Sequence, residues 1–139
     1  MADMTDVYMG TAFLFARKSK AVRAQVGAVL VTKSGVILPG VNGTAAGTDN
    51  ACEDEFGKTK IETIHAELNC LIKAAKEGVS VQGATVYVTM SPCRHCAALM
   101  IQSGIKEVVY AKQYRDNTGI QYLLDNGVDV WRISGEKYE

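Results

Sequence analysis

From Ala84 onward the chain alternates strand-length and helix-length segments: Ala84-Thr-Val-Tyr-Val-Thr-Met90, a helical run through Ala97, Ala98, Met100 and Ile101, Glu107-Val-Val-Tyr-Ala111, Thr118 to Asn126, and Val128-Asp-Val-Trp-Arg-Ile133. This alternation constrains the fold most, because a strand that reaches its neighbour through a helix needs a crossover, and crossovers pair strands in parallel. Ser91-Pro92 opens the first of these helices and Gly104 closes it; Gly127 stops the second. Upstream, Val26 to Thr32 and Val36 to Val41 are β-branched runs separated by Lys33-Ser34-Gly35, which predicts a hairpin. Pro39, which has no amide N–H to donate to a ladder, makes the second run an edge strand or a broken one. Helical spacing also runs from Thr5 to Ser19 (Val7, Tyr8, Thr11, Phe15) and resumes at Ile64, Leu68, Leu71, Ile72 and Ala75, with Gly78 as its C-cap. The expectation is an α/β protein, a three-layer α/β/α sandwich whose five-stranded mixed sheet carries an antiparallel hairpin at one side.

With 139 residues, the sequence is expected to form one domain over 1–139. Fifteen Lys+Arg balance fifteen Asp+Glu, so no overall basic field holds a nucleic acid polymer by counterion release. Apolar stretches fall short of the roughly 20 residues of a membrane span. The amino terminus, Met1-Ala-Asp-Met-Thr-Asp6, is polar and acidic, unlike a signal sequence, and a cytoplasmic location is expected. Asn42 to Thr63 has no clear period, and more than twenty irregular residues inside a compact domain point to function or disorder.

Both histidines and three of the four cysteines gather in or beside two short motifs, His65-Ala66-Glu67 and Pro92-Cys93-Arg94-His95-Cys96. Two cysteines three apart at a helix start share a face, where free amides and the helix dipole favour thiolates. His65, Cys93 and Cys96 fill three corners of a zinc tetrahedron and leave the fourth for water, as in catalytic sites. Residues two apart in mid-helix point apart, so His65 and Glu67 can share a site only at a first turn, where both reach past the helix N-terminus. Zinc lowers the pKa of its water from about 15.7 toward roughly 7. Glu67 is then the group to take the proton of a zinc-bound water as it attacks an amidine-like ring carbon, and to pass it to the ring nitrogen and to departing ammonia. This H-x-E…P-C-x-x-C pattern is the known signature of zinc nucleobase deaminases.

The chain also resembles the deoxycytidylate (dCMP) deaminases of bacteriophage and bacterial type, through Ile64-His-Ala-Glu-Leu-Asn69, Met90-Ser-Pro-Cys-Arg-His-Cys-Ala97, Ile101-Gln-Ser-Gly-Ile-Lys-Glu-Val-Val-Tyr110 and Tyr114-Arg-Asp116. The likeness runs from about Arg23 to Ile133. It implies a cytidine deaminase-like fold, hydrolysis of dCMP to dUMP and ammonia for thymidylate synthesis, and a homo-oligomer, commonly a hexamer. It also implies activation by dCTP and inhibition by dTTP, with Mg²⁺. Substrate contacts implied by the resemblance fall on Asn42, Ala66, Ser91, Pro92, Tyr110 and Arg115; effector contacts fall on Gly43, Asn50, Glu53 and Asp54. In the family's Gly-Tyr-Asn-Gly motif this chain has Gly40-Val41-Asn42-Gly43, a departure at Val41 that bears on the effector contacts. Some members hold a second, structural zinc with further histidines; here only His95 is left over, so one zinc per subunit is expected.

Each assignment has a plainer competitor. Asn42 before Gly43 reads equally as a turn residue, Tyr110 as a core aromatic with a satisfied hydroxyl, and Cys70 as small core filling. Cys52 reads as a free thiol in the loop. A monophosphate calls for a cation, and a guanidinium suits it, but Arg23, Lys112 and Arg132 compete with Arg115. The rival functions are deamination of another cytosine nucleoside or nucleotide, and a catalytically silent zinc scaffold, which would have no use for Glu67 beside an open metal corner.

Overall fold

A computed structural model describes residues 3–139; residues 1 and 2, counted in the expected domain, lie outside it. The elements run α1 (Thr5–Ala16), β1 (Gly27–Val31), β2 (Ile37–Val41), α2 (Ala66–Glu77), β3 (Thr85–Met90), α3 (Arg94–Ser103), β4 (Glu107–Lys112), α4 (Thr118–Asp125) and β5 (Asp129–Arg132). The five strands form one mixed sheet in the order β2-β1-β3-β4-β5. β1 is antiparallel to both β2 and β3, whereas β3, β4 and β5 are parallel. This is the predicted sandwich, with Pro39 on the edge strand β2.

Side-chain alternation along the strands divides the core in two. Ala28, Leu30, Val86, Val88 and Val108 pack against α2, α3 and α4 through Cys70, Ala74, Ala97, Met100 and Leu123. Their odd-numbered neighbours Val29, Tyr87 and Val109 face α1, meeting Met9, Ala12 and Phe13. Helices α3 and α4, the two crossovers between parallel strands, thus lie on one face of the sheet. Their N-termini follow the C-terminal ends of β3 and β4, where ligands bind in sheets of this kind.

Element ends differ from expectation by one to three residues, for local reasons. α1 stops at Ala16, and Ser19 turns out of helical course because its Oγ donates to the Asn42 carbonyl at 2.8 Å. α3 begins at Arg94, two residues after Pro92, because Cys93 is its N-cap and the Cys93 Sγ accepts from the Cys96 amide at 3.4 Å. Gly78 and Gly104 are left-handed C-caps, as predicted. A short 3₁₀ turn at Glu136–Tyr138 was not signalled by periodicity; it stacks Tyr138 on Phe13 with ring centroids 5.4 Å apart. Among the described residues no helix is long and apolar enough to cross a membrane.

Candidate active site

Two helix N-termini build the site. His65 is the N-cap of α2 with extended backbone (φ −69°, ψ 153°), so its ring projects forward of the helix while Glu67 occupies the first turn. Cys93 caps α3 in the same way (φ −73°, ψ 169°), and Cys96 follows one turn later on the same face. Close packing fixes both ends. A Cβ on Gly40 of β2 would lie 2.5 Å from the Ala66 carbonyl oxygen and 2.9 Å from Cys70 Sγ, so α2 can seat this deeply only over glycine. A Cβ on Gly119 would collide with the Pro92 carbonyl oxygen and the Cys93 backbone, so the start of α4 buttresses the Cys93 turn. Asn69 adds a hydrogen bond from its Nδ2 to the Val41 carbonyl at 2.7 Å, locking α2 to the end of β2.

The ligand atoms of His65, Cys93 and Cys96 lie within 4.8 Å of one another. His65 Nδ1 is 3.1 Å from Cys96 Sγ and 3.6 Å from Cys93 Sγ. A tetrahedral ion with Zn–S of about 2.3 Å and Zn–N of about 2.05 Å would separate sulfur from nitrogen by about 3.6 Å, so the Cys93 pair is spaced as zinc requires and the Cys96 pair is somewhat contracted. Their electrostatics agree. Hydrogen bonds from the Cys96 and His65 side chains lower the Cys93 thiol to about 3, whereas Cys96, which shares its proton with Cys93 and is buried, is pushed up. The Cys93 hydrogen bond raises the His65 imidazole. Shared protons hold together three groups that a divalent cation would hold instead, and the donor set, one imidazole and two sulfurs, fits Zn²⁺.

Glu67 is buried, at 3 % exposure. Burial pushes its carboxyl up to about 7, with its own backbone N–H and the neighbouring His65 pulling the other way. It opens with His65 and Cys93 onto a cavity of about 310 Å³ whose wall also includes Arg23, Val26, Asn42, Glu53, Ala66, Ser91 and Tyr114. Of the residues expected at the site, His65, Glu67, Cys93, Asn42, Ala66, Ser91 and Glu53 therefore meet around one cavity. Asn42 bridges the Arg23 segment: its Oδ1 accepts from the Val26 amide at 2.9 Å and its Nδ2 donates to the Ala24 carbonyl at 2.8 Å. Ser91 Oγ accepts from the Tyr114 amide at 2.6 Å, bringing Tyr114 to the cavity.

Other expected residues lie elsewhere. Pro92 is buried behind Cys93, and Tyr110 packs in the core on the α2–α4 face with the Arg132 guanidinium 6.0 Å from its ring centroid. Arg115 is exposed between β4 and α4 and does not line the cavity, and His95 is exposed outside the ligand cluster. Gly43 bridges to Ile64, Asn50 is exposed, and Asp54 Oδ1 accepts from the amides of Phe56 and Lys58 in a local turn. Cys70 is fully buried with its thiol pushed up to about 12 by desolvation, consistent with core filling, and Cys52 is a free, buried thiol in the loop. Arg23, one of four competing cations in the sequence, is, among the described residues, the only lysine or arginine in the cavity wall.

An α/β/α sandwich with a His-Cys-Cys cluster at two helix N-termini and a buried carboxylate beside it defines a zinc-dependent hydrolytic deaminase. The model of the cytidine and deoxycytidylate deaminase zinc-binding region matches residues 3–112, and the chain belongs to that family. The ComE operon protein 2 of Bacillus subtilis (strain 168) is 39% identical over 132 residues, covering 91% of this chain and 69% of its own. The deoxycytidylate deaminase of Pongo abelii is 37% identical over 136 residues, covering 86% and 73%. The crystal structure of dCMP deaminase from the cyanophage S-TIM5 in complex with dCMP and dUMP superposes with a TM-score of 0.91 at 40% identity, covering 96% of this chain and 98% of that one.

Proposed function

We propose that the 139 residues act as one deaminase domain that hydrolyses dCMP to dUMP and ammonia in the cytoplasm, supplying dUMP for thymidylate synthesis. The observation that carries this reading is that one cavity joins two of the three zinc ligands, His65 and Cys93, the buried Glu67 and a single guanidinium, Arg23. The likeness to a cyanophage enzyme crystallised with dCMP and dUMP supports the same substrate.

His65, Cys93 and Cys96 hold the zinc, which when bound makes water acidic enough to supply hydroxide near neutral pH. Glu67 does the proton work. As an ionised base it accepts the proton of the attacking water, delivers it to the ring nitrogen, and then carries the second proton to the departing amine. Water's oxygen replaces the exocyclic nitrogen, so the products are dUMP and ammonia. The burial of Glu67 beside His65 and Cys93 keeps bulk water from competing for the proton it carries. Asn42, Ala66 and Ser91 shape the pocket for the nucleoside, and the 5′-phosphate falls to Arg23, whose planar fork can bind two oxygens. Pro92, Tyr110 and Arg115 do not line this cavity and are assigned no contact with the nucleotide.

Ammonia release measured with dCMP, CMP, deoxycytidine and dCTP tests the assignment. The expected result is a preference for dCMP over deoxycytidine of at least about 100-fold in kcat/KM, the size of two charge-assisted hydrogen bonds. Equal rates with and without the 5′-phosphate would remove it. The finer features implied by the family are proposed with it: a homohexamer, activation by dCTP and inhibition by dTTP with Mg²⁺, and effector contacts in the Gly43 to Thr63 loop at Gly43, Asn50, Glu53 and Asp54. dCTP is expected to change the dCMP saturation curve from sigmoidal toward hyperbolic, and a curve indifferent to both triphosphates would exclude the regulation.

A further inference from the structure

Glu53 makes a contact that zinc chemistry does not explain. Its Oε2 accepts two consecutive backbone amides across a gap of some thirty residues, from Val22 at 2.9 Å and from Arg23 at 3.1 Å. Successive N–H groups aimed at one point form a concave anion site, and a carboxylate oxygen that takes both fixes the chain around them. At Val22 and Arg23 this is the tie the structure shows: Val22 is 85% exposed, and the segment's other hydrogen bonds fall on its flanks, Ala21 N–H to Ser19 Oγ, the Ala24 carbonyl from Asn42 Nδ2 and Gln25 Nε2 to the Ser19 carbonyl. Glu53 itself is anchored. It bridges to Thr59, the Lys60 amide donates to the Cys52 carbonyl at 2.7 Å, and Thr63 Oγ1 donates to the same carbonyl at 3.0 Å. Thr63 is two residues before His65 and, with Glu53, Thr59 and Arg23, lines the catalytic cavity.

We propose that Glu53 is the positioning residue for phosphate recognition: through the Val22 and Arg23 amides it sets the backbone from which the Arg23 guanidinium reaches the substrate's 5′-phosphate. This rests on the dCMP reading above. The contact is local to the phosphate end of the pocket and touches neither zinc ligands nor Glu67. Glu53 therefore acts on substrate affinity rather than on the chemical step, and it makes the grip on phosphate depend on where the Gly43 to Thr63 loop sits.

The test is steady-state kinetics of zinc-loaded wild type, Glu53→Ala, Glu53→Gln and Arg23→Ala with dCMP and with deoxycytidine. For Glu53→Ala, KM for dCMP is expected to rise about tenfold, the size of one charge-assisted hydrogen bond, with kcat within about twofold. kcat/KM for deoxycytidine should fall several-fold less than kcat/KM for dCMP. Glu53→Gln, which keeps a neutral acceptor, is expected to recover part of the loss. An equal loss for both substrates, a loss in kcat alone, or no loss would each overturn the proposal. A wild type without preference for dCMP would instead overturn the substrate reading itself, and the positioning role with it. If Glu53→Ala fails to fold, hydrogen exchange in the wild type decides: amides of Val22 and Arg23 that exchange as fast as free loop amides overturn the proposal, and protected ones, with the Glu53→Gln split, uphold it.

Discussion

Glu67 shows how one side chain can cost stability and supply chemistry. Its carboxyl is nearly fully buried and lifted to about 7 from an ordinary 4.5. In the metal-free protein the sign follows directly. Below pH 4.5 the folded and unfolded chains are both protonated there and the group contributes nothing. Between 4.5 and 7 the unfolded chain ionises while the folded one holds its proton, so stability falls as pH rises through that window and levels off above it. Glu67→Gln removes the titration but keeps the shape. The variant is therefore expected to gain on metal-free wild type between pH 4.5 and 7, read as the difference in urea midpoints; a difference constant across this range would contradict the burial argument. The zinc-loaded variant is expected to retain its metal yet lose activity by a factor of about 10² to 10⁴ in kcat. Near wild-type turnover would exclude the proton shuttle.

Elements were legible wherever a local period and a stop signal coincided. The parallel half of the sheet was readable because β3, β4 and β5 are short β-branched runs with helices between them, and the edge position of β2 because Pro39 permits little else. The metal cluster and Glu67 were readable because each motif is contiguous and sits at a helix start. Arg23 was not separable from its competitors, since what carries it to the cavity is the fold of the α1–β1 connection, held by Asn42 and Glu53 from distant parts of the chain. No periodicity encodes such a contact. The Glu136–Tyr138 turn escaped for the same reason: it is fixed by stacking on Phe13 and by the Tyr138 hydroxyl donating to Asp6 at 2.6 Å. Gly119 belongs to this scale too. Because a Cβ there meets the backbone of Pro92 and Cys93, Gly119→Ala is expected to push α4 off the Cys93 turn, at a cost of about 1–3 kcal/mol, and to weaken zinc binding. Thermal unfolding and a competitive zinc titration measure both; wild-type values in each would show that α4 does not buttress the ligand.

For the molecule as a whole, zinc joins parts of the chain that are distant in sequence. His65 and the two cysteines are separated by about thirty residues and belong to α2 and α3, two helices on one face of the sheet. An ion bound by all three in the folded state and by few or none together in the unfolded chain stabilises by mass action, in proportion to the logarithm of free zinc above its dissociation constant. Each tenfold rise in buffered free zinc is expected to add about 1.4 kcal/mol, a rise of roughly 3–6 °C in the unfolding midpoint for a chain of this size. Chelation should reverse it. Cys93→Ser keeps an N-cap acceptor for the Cys96 amide but removes one sulfur from the ligand set, so in the presence of zinc it should lower the midpoint and flatten the zinc dependence together. Glu67→Gln, which leaves the three ligands in place, should keep the full slope. A zinc-independent midpoint in the wild type would mean that the two helix starts are held by their sulfur and imidazole hydrogen bonds alone, and an equal slope in Cys93→Ser would place the ion elsewhere.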